Sequence, residues 1–358
     1  MFDRHRVEAF GGVFHVPDFD AYPALFAWDS GYHALSLRHI DPELAVGELS
    51  TLYEANRLPD GLLSHQRFVP GAEDTQRMIE GLFGPMFEGD RTPFVDPPTA
   101  AYAAARMSAS LGRPADHLLD EALRNLRSLA TYRRVEGCVL PAVLHPFETG
   151  TEGNAFTGPL ARGKGLPDLT RLKELTVSAV SSGMSPQRAL SEGHDFVVYD
   201  PTVCGWYILA LEEAASACAL RGRDADRDWA TRTAQQVADA AASLLWSESD
   251  DLFGAYDLVR GRRLGGVGAM GLIPAATRAM VERACQPQRP TITSARRRPC
   301  GDPEGLLPAR WSRVQAFGTS CNGTAMRSGA RRRTGRTFSR CGSADWATPD
   351  GSAVSSSS

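Results

Sequence analysis

From residue 42 to residue 284 the chain is a succession of helical segments, and this pattern constrains its fold more than any other feature. Apolar residues recur at three- and four-residue steps, the spacing that lines one face of a helix. This pattern predicts helices over residues 43–56, 98–111, 116–133, 202–220, 226–246 and 271–285. Two short stretches, residues 10–16 and 196–199, have the composition of strands. The sequence therefore predicts an all-α fold.

Loops rich in glycine and proline separate these helices. The longest covers residues 145–168 and contains five glycines. Loops of this length in compact domains are often functional. Helices that alternate with elaborate loops predict a toroid of paired helices, an (α/α) barrel, with its loops gathered at one mouth. The alternative is a stacked array of helical repeats, but the sequence shows no self-similarity at a fixed period.

The composition changes abruptly near residue 285. Residues 285–358 carry 12 arginines and 4 acidic residues, a net charge of +8, whereas residues 1–284 carry −11. With only five Leu, Ile or Val residues in 74 positions, this tail cannot bury a core. It is either a basic disordered tail that binds a polyanion or the product of a shifted reading frame, which its four cysteines and two tryptophans favour. We expect a folded domain at residues 1–284, with a toroid that is incomplete at its C-terminal end.

Several classes of protein are disfavoured. No run of about 18 apolar residues occurs, so no membrane span is predicted. The first residues lack the layout of a secretory signal, so we expect a cytoplasmic protein. The seven cysteines form no CxxC pair and the eight histidines show no ligand spacing. We therefore expect no metal, no cofactor and no nucleic-acid partner for the helical domain.

Residues 22–34, Tyr-Pro-Ala-Leu-Phe-Ala-Trp-Asp-Ser-Gly-Tyr-His-Ala, place five aromatic rings, one of them the imidazole of a histidine, and one acid where a loop meets a helix. Sugars present flat apolar faces edged with hydroxyl groups. Trp28 offers a surface for such a face, and Asp29 can accept hydrogen bonds from the hydroxyls. The same residues also suit a buried Trp28 and an Asp29 that caps the helix.

Residues 145–154, His-Pro-Phe-Glu-Thr-Gly-Thr-Glu-Gly-Asn, place Glu148 and Glu152 in the glycine-rich loop beside Phe147. Glycoside hydrolysis needs an acid that protonates the leaving oxygen and a second carboxylate across the sugar. A glutamate in a partly apolar pocket would have the raised pKa that such an acid needs. The alternative is a solvated loop whose acids have no chemical role. Residues 96–98 and 199–201 read as helix starts and are weaker candidates for substrate contact.

In their order along the chain, these segments resemble the (α/α)6-barrel glycosidases of the clan that includes glycoside hydrolase family 63. The bacterial mannosylglycerate and glucosylglycerate hydrolases are the most similar. Residues 28–34 resemble the motif Trp-Asp-Ser-Ala/Gly-Phe-His-Ala of that family. Residues 145–150 resemble its His-Pro-Trp-Glu-Ser-Gly, and residues 96–98 its Gln-Pro-Pro. The likeness covers roughly residues 10–284 and implies an inverting glycosidase that acts on a small α-glucoside or α-mannoside.

The resemblance also implies site residues. The general acid of the family is an Asp two residues after the glycine of the loop motif, and the matching residue here is Glu152. The sugar pocket would be shaped by Trp28, Asp29, Tyr32, Asp96, Phe147 and Glu148. Phe147 stands where the family has Trp and Asp96 where it has Gln, which weakens the expectation of a glycerate-linked substrate. The general base of the family has no counterpart after residue 285, so we expect little or no turnover.

Two other functions fit the same sequence. A sugar epimerase or isomerase on the same toroid would use histidines as acid and base, with His33, His145 and His194 as candidates. A non-catalytic protein would bind a carbohydrate, or a polyanion through residues 285–358.

Overall fold

The computed structural model describes residues 4–151, 154, 157–161, 168–266 and 268–285. The general acid implied by the resemblance, Glu152, lies outside the described residues. The basic tail does so too from residue 286 onward.

Helices dominate the described part of the chain, and the strands are short. The helices are α1 (Ala27–Leu37), α2 (Pro42–Asn56), α3 (Glu73–Phe83), α4 (Thr99–Leu111), α5 (Asp116–Tyr132), α6 (Gly158–Ala161), α7 (Leu169–Ser181), α8 (Pro186–Ser191), α9 (Pro201–Leu220), α10 (Asp224–Leu244) and α11 (Arg278–Cys285). The strands are β1 (Arg6–Ala9), β2 (Gly12–His15), β3 (Ala24–Phe26), β4 (Gln66–Phe68), β5 (Val198–Tyr199), β6 (Trp246–Ser247), β7 (Leu252–Phe253), β8 (Tyr256–Asp257) and β9 (Arg262–Arg263). The pairs β1–β2, β3–β4 and β6–β7 are antiparallel, and so is the three-stranded sheet β5–β8–β9.

The long helices form three hairpins, in which α1 packs on α2, α4 on α5, and α9 on α10. Helix α4 also packs against both α1 and α9, so these three helices form an inner layer. Helices α2, α5 and α10 lie outside them, and the main apolar core fills the space between the layers. Paired helices joined by short turns bury their apolar stripes in this way.

Gly31 of α1 lies directly against the start of α4. A Cβ atom at this position would lie 2.7 Å from Thr99 Oγ1 and 2.8 Å from the backbone nitrogen of Ala100. The Thr99 hydroxyl donates a hydrogen bond to the carbonyl of Trp28 at 3.2 Å. The glycine of the 28–34 motif is therefore required for helix packing, and it places the Trp28 turn against the start of α4.

The predicted helices agree with the structure to within two residues over α2, α4, α5, α9 and α10. Helix α2 begins as its local signals predict, because Asp41 accepts a hydrogen bond from the backbone N–H of Leu44 at 3.0 Å and proline follows at the first helical position. The single helix predicted over residues 271–285 was wrong. Two 3-10 turns, Ala269–Leu272 and Pro274–Ala276, come first, because Pro274 has no N–H to continue a helical ladder, and α11 follows.

The N-terminal strand predicted over residues 10–16 is the second half of a hairpin. Strands β1 and β2 meet at Phe10 and Gly11, whose φ angles of 55° and 82° form the tight turn. Helices α3 and α7 were not predicted, and α3 has no fully buried residue. Among the described residues, α9 has the length and apolar composition of a membrane span, and it packs against α4 and α10 as a core helix does.

Candidate active site

A cavity of about 570 Å³ opens beside the N-terminus of α1. Its volume lies in the range of pockets that hold small molecules, roughly 300–1,000 Å³. Part of its polar and aromatic lining comes from the first turn of α1, from the start of β4, from the segment that precedes α4 and from the loop at residues 145–150. The residues involved are Trp28, Asp29, His65, Gln66, Asp96, Phe147 and Gly150.

The side chain of Trp28 joins the loop to α1. Gly150 has a φ of +66°, and a Cβ atom on it would lie 3.2 Å from two carbons of the indole ring. The indole therefore lies directly against the backbone of Gly150, and only glycine fits both the angle and the space. The sequence predicted both motifs as parts of one site, and here they are in contact.

Asp96 connects the first turn of α1 to His65 through two hydrogen bonds. One carboxylate oxygen accepts the backbone N–H of Trp28 at 2.9 Å, in the first turn of α1, and the other accepts the Nδ1–H of His65 at 2.6 Å. Because a carboxylate only accepts hydrogen bonds, it directs the proton of His65 to Nδ1. Sequence reasoning missed His65, which lies alone between α2 and β4 with no motif around it.

Asp29 lines the same cavity. Burial raises the pKa of the Asp29 carboxyl, and the neighbouring Asp96 carboxylate raises it further. Charge on His33 and His65 acts in the opposite direction on the pKa of Asp29. Two carboxyl groups and an imidazole thus share one wall of the cavity, where they can accept or donate hydrogen bonds to the hydroxyls of a sugar.

Tyr32 does not line the cavity, but its ring packs against the Trp28 ring. The two contacts that this ring makes, with Trp28 and with Trp206, are edge-to-face, with ring centroids 5.1 Å and 5.8 Å apart. Burial raises the pKa of Tyr32 to about 12, so its hydroxyl stays neutral. Trp206, in α9, also contacts Trp28 at 6.1 Å and completes the aromatic cluster. Sequence reasoning missed Trp206, although it lies six residues after Asp200 in a segment already noted as a helix start.

Glu148 lies in the core and is not among the lining residues. Its carboxylate pairs with the guanidinium of Arg133 and accepts the backbone N–H groups of Val95 at 3.1 Å and Leu144 at 2.7 Å. Both side chains of the ion pair are at most 1% exposed. The structure thus gives Glu148 the task of fixing the 145–150 loop to the core, whereas the resemblance implied a place in the sugar pocket.

Phe147 extends from this loop into the cavity. Its ring contacts Phe83 of α3 at 5.0 Å and His145 at 4.5 Å. His145 stacks on Phe94 at 4.8 Å, and burial lowers the pKa of His145 to about 3, so the imidazole is neutral near pH 7. Phe147 therefore packs against uncharged aromatic rings.

The three histidines proposed for an epimerase, His33, His145 and His194, are not among the lining residues. His33 and His15 each direct Nδ1 to one oxygen of the buried Glu48, at 2.9 and 2.7 Å. Among the described residues, this trio has donor atoms close enough to hold a metal ion, all within 4.8 Å of one another. The short nitrogen–oxygen distances are those of direct hydrogen bonds.

Asp200 is buried at the N-terminus of α9 and is not among the lining residues. Its carboxylate accepts the backbone N–H groups of Thr202 at 2.8 Å and Val203 at 3.3 Å. Burial raises the pKa of Asp200 to about 6. The motif at residues 199–201 thus acts as a helix cap, the simpler of its two interpretations.

A comparison with known families decides the identity of this domain. The model of the mannosylglycerate hydrolase MGH1-like glycoside hydrolase domain matches residues 22–288. The chain belongs to this family. The family range contains the first turn of α1, the 145–150 loop and all the polar residues of the cavity.

Two curated relatives of this MGH1-like domain are mannosylglycerate hydrolases. The enzyme of Thermus thermophilus is 29% identical over 162 residues, which is 42% of this chain and 38% of that protein. Mannosylglycerate hydrolase MGH1 of Selaginella moellendorffii is 28% identical over 203 residues, 50% of this chain and 38% of that protein. The matched part of the chain thus spans 38% of the length of each relative.

Solved structures of the family 63 mannosylglycerate hydrolase from Thermus thermophilus have the same fold as this MGH1-like domain. The complex of that enzyme with glucose has a TM-score of 0.62 and 22% identity, and covers 77% of this chain and 69% of that one. Its complex with Tris and D-glycerate has a TM-score of 0.62 and 19% identity, with 77% and 70% coverage. The prediction of an all-α (α/α)6 toroid is thereby confirmed.

Proposed function

We propose that this chain is a glycoside hydrolase that cleaves small α-glucosides or α-mannosides with inversion at the anomeric carbon. One observation carries the proposal: Trp28 and Asp29 line a single cavity of sugar-binding size together with Asp96, which lies far from them in the sequence. Membership of the MGH1-like glycoside hydrolase family supports it. The ring of Trp28 would bind the apolar face of a pyranose, and the two carboxyl groups would bind its hydroxyls.

The proposed general acid is Glu152, which follows Gly150 by two residues in the loop that Trp28 holds. It would protonate the glycosidic oxygen while a water molecule attacks the anomeric carbon from the opposite face. Inversion also needs a base that removes a proton from this water, and we assign none among the described residues. Slow turnover is accordingly part of the proposal.

Two measurements test the function. Tryptophan fluorescence titrations with methyl α-D-glucopyranoside and methyl α-D-mannopyranoside report binding, and proton NMR of the first released sugar reports its anomer. We expect saturable binding, a β-anomer as first product, and a loss of affinity in Asp29→Asn. Absence of binding to both glycosides, or an α-anomer as first product, would overturn the proposal.

The role of Glu152 is tested by Glu152→Gln. The rate should fall by about 10²–10⁴-fold, the usual contribution of a general acid, while the affinity for the methyl glycosides stays within about two-fold. Glu174→Gln is the matched control, because Glu174 lies on α7 with a side chain that is 61% exposed. An unchanged rate in Glu152→Gln would remove Glu152 from the mechanism.

A further inference from the structure

Three side chains of the kind that bind metal ions meet between β2, α1 and α2. His15 is the last residue of β2, His33 lies in α1, and Glu48 lies in α2. The three elements pack against one another. One donor atom from each side chain, two nitrogens and an oxygen, all lie within 4.8 Å of one another. Sequence spacing did not predict this group, since 33 residues separate His15 from Glu48.

The Glu48 carboxylate lies at the centre of this group. Its side chain is 0% exposed, and its two oxygens face Nδ1 of His15 at 2.7 Å and Nδ1 of His33 at 2.9 Å. A carboxylate that is removed from water needs an opposing charge and hydrogen-bond donors nearby. The two imidazoles supply donors, but a positive charge only when they are protonated. A divalent ion among the three side chains would supply that charge permanently.

The distances suit an ion of the size of Zn²⁺. Imidazole nitrogen and carboxylate oxygen bind zinc at about 2.0–2.2 Å, so two ligand atoms on a tetrahedral ion lie about 3.3 Å apart. The nitrogen–oxygen contacts of 2.7 and 2.9 Å would have to open by about 0.5 Å. The widest separation, which is at most 4.8 Å, would close by about 1.5 Å or less. The ion would then occupy the place of the Nδ1 protons, which move to Nε2 of each ring.

Solvent reaches the group from one side. The His33 side chain is 20% exposed, whereas those of His15 and Glu48 are at most 1% exposed. An ion can enter past His33, and a water molecule on that side would complete four ligands. Two imidazoles and one carboxylate suit zinc, cobalt or nickel, because magnesium and calcium prefer six or more oxygen ligands.

We propose that His15, His33 and Glu48 form a binding site for one divalent transition-metal ion of the zinc type. The ion would join β2 to the hairpin of α1 and α2, so its binding stabilises the N-terminal part of the folded domain. None of the three residues is among those that line the candidate active-site cavity. The site is therefore independent of the proposed glycosidase function.

Metal titrations of the full chain test the site after dialysis against a chelator. Co²⁺ is added first, because its visible absorption reports the number and type of its ligands, and Zn²⁺ should then displace it. With Zn²⁺ at about 100 times its Kd, the unfolding temperature should rise by about 5 °C, and Mg²⁺ should leave it unchanged. Absence of Co²⁺ binding, or an equal rise with Mg²⁺, would overturn the proposal.

His33→Gln removes one ligand at the solvent-facing position, and the glutamine NH₂ can still donate a hydrogen bond to Glu48. Its affinity for Co²⁺ should fall about 100-fold or more, since changes even to the partners of metal ligands cost 10–100-fold. His39→Gln is the matched control, because His39 is exposed just beyond the end of α1 and outside the group. Wild-type affinity in His33→Gln would show that the ion binds elsewhere.

X-ray absorption at the zinc edge of the wild-type protein tests the ligands without any variant. Nitrogen and oxygen donors at about 2.0–2.2 Å are expected. Sulfur donors at about 2.3 Å would assign the ion to cysteines and overturn the proposal.

Discussion

Replacement of Glu148 by glutamine removes one charge from an ion pair that lies wholly inside the protein. The Arg133 side chain is 1% exposed and the Glu148 side chain 0%. After the change, the guanidinium remains buried with no opposing charge. The glutamine oxygen can accept a hydrogen bond from only one of the two backbone N–H groups, those of Val95 and Leu144. The glutamine NH₂ group faces the other N–H group, and two donors form no hydrogen bond.

The expected loss of stability follows from these contacts. Breaking a buried ion pair by removing one partner costs about 3–5 kcal/mol, because an uncompensated charge stays in the core. The cost of the lost backbone hydrogen bond is already included in this range. A typical hydrogen bond contributes about 1 kcal/mol, and its cost does not add to that of the ion pair. A loss of this size is a large part of the roughly 5–15 kcal/mol that stabilises a domain.

Urea unfolding followed by far-UV circular dichroism measures the loss. Glu121→Gln is the matched control, because Glu121 pairs with Arg57 at 2.8 Å with side chains that are 20% and 36% exposed. Its loss should be about 0–1 kcal/mol, the value for surface pairs. The double variant Arg133→Met with Glu148→Gln should recover part of the lost stability, because it leaves no buried charge while the glutamine oxygen still accepts one of the two backbone N–H groups.

A loss for Glu148→Gln no larger than that for Glu121→Gln would refute the reasoning. The same variant also tests the sugar-pocket role that the resemblance implied. In folded Glu148→Gln protein, affinity for the methyl glycosides should change by less than about two-fold, because Glu148 does not line the cavity. A larger change would return Glu148 to the binding site.

Two further predictions concern backbone and charge. Gly150→Ala should lower the free energy of unfolding by about 1–3 kcal/mol and weaken glycoside binding, because its Cβ would lie 3.2 Å from the Trp28 indole at a φ of +66°. Gly183→Ala, with a φ of +62° and open space around it, should lower stability without affecting binding; equal binding losses in the two would contradict the contact. Burial raises the pKa of Asp200 to about 6, so the folded state holds a proton that the unfolded state releases, and this group's contribution to stability falls as pH rises from about 4 to about 6. Asp200→Asn keeps a capping oxygen but has no proton to lose. In urea unfolding, the stability of the variant relative to the wild type should therefore be greater at pH 7 than at pH 4. The same difference in stability at both pH values would refute the raised pKa.

Parts of the site could be predicted because their signals are local. Trp28 and Asp29 stand in a compact aromatic motif, and the loop around Phe147 has a distinctive run of glycines, so both were assigned to one pocket. His65 and Trp206 have no such surroundings. They reach the site only because β4 pairs with β3, the strand before α1, and because Trp206 of α9 packs against Trp28 and Tyr32 of α1. No local pattern encodes these contacts.

The sequence by itself determined the helical class, most helix boundaries and two of the segments that meet at the cavity, because periodicity, proline and capping residues act over a few neighbours. Tertiary structure alone decided which acids face the cavity. Glu148 and Asp96 look alike as exposed candidates in the sequence, yet the Arg133 ion pair holds one in the core while Trp28 and His65 hold the other at the cavity wall. The physical reason is that burial and charge pairing depend on residues distant in sequence, which only the packed fold brings together.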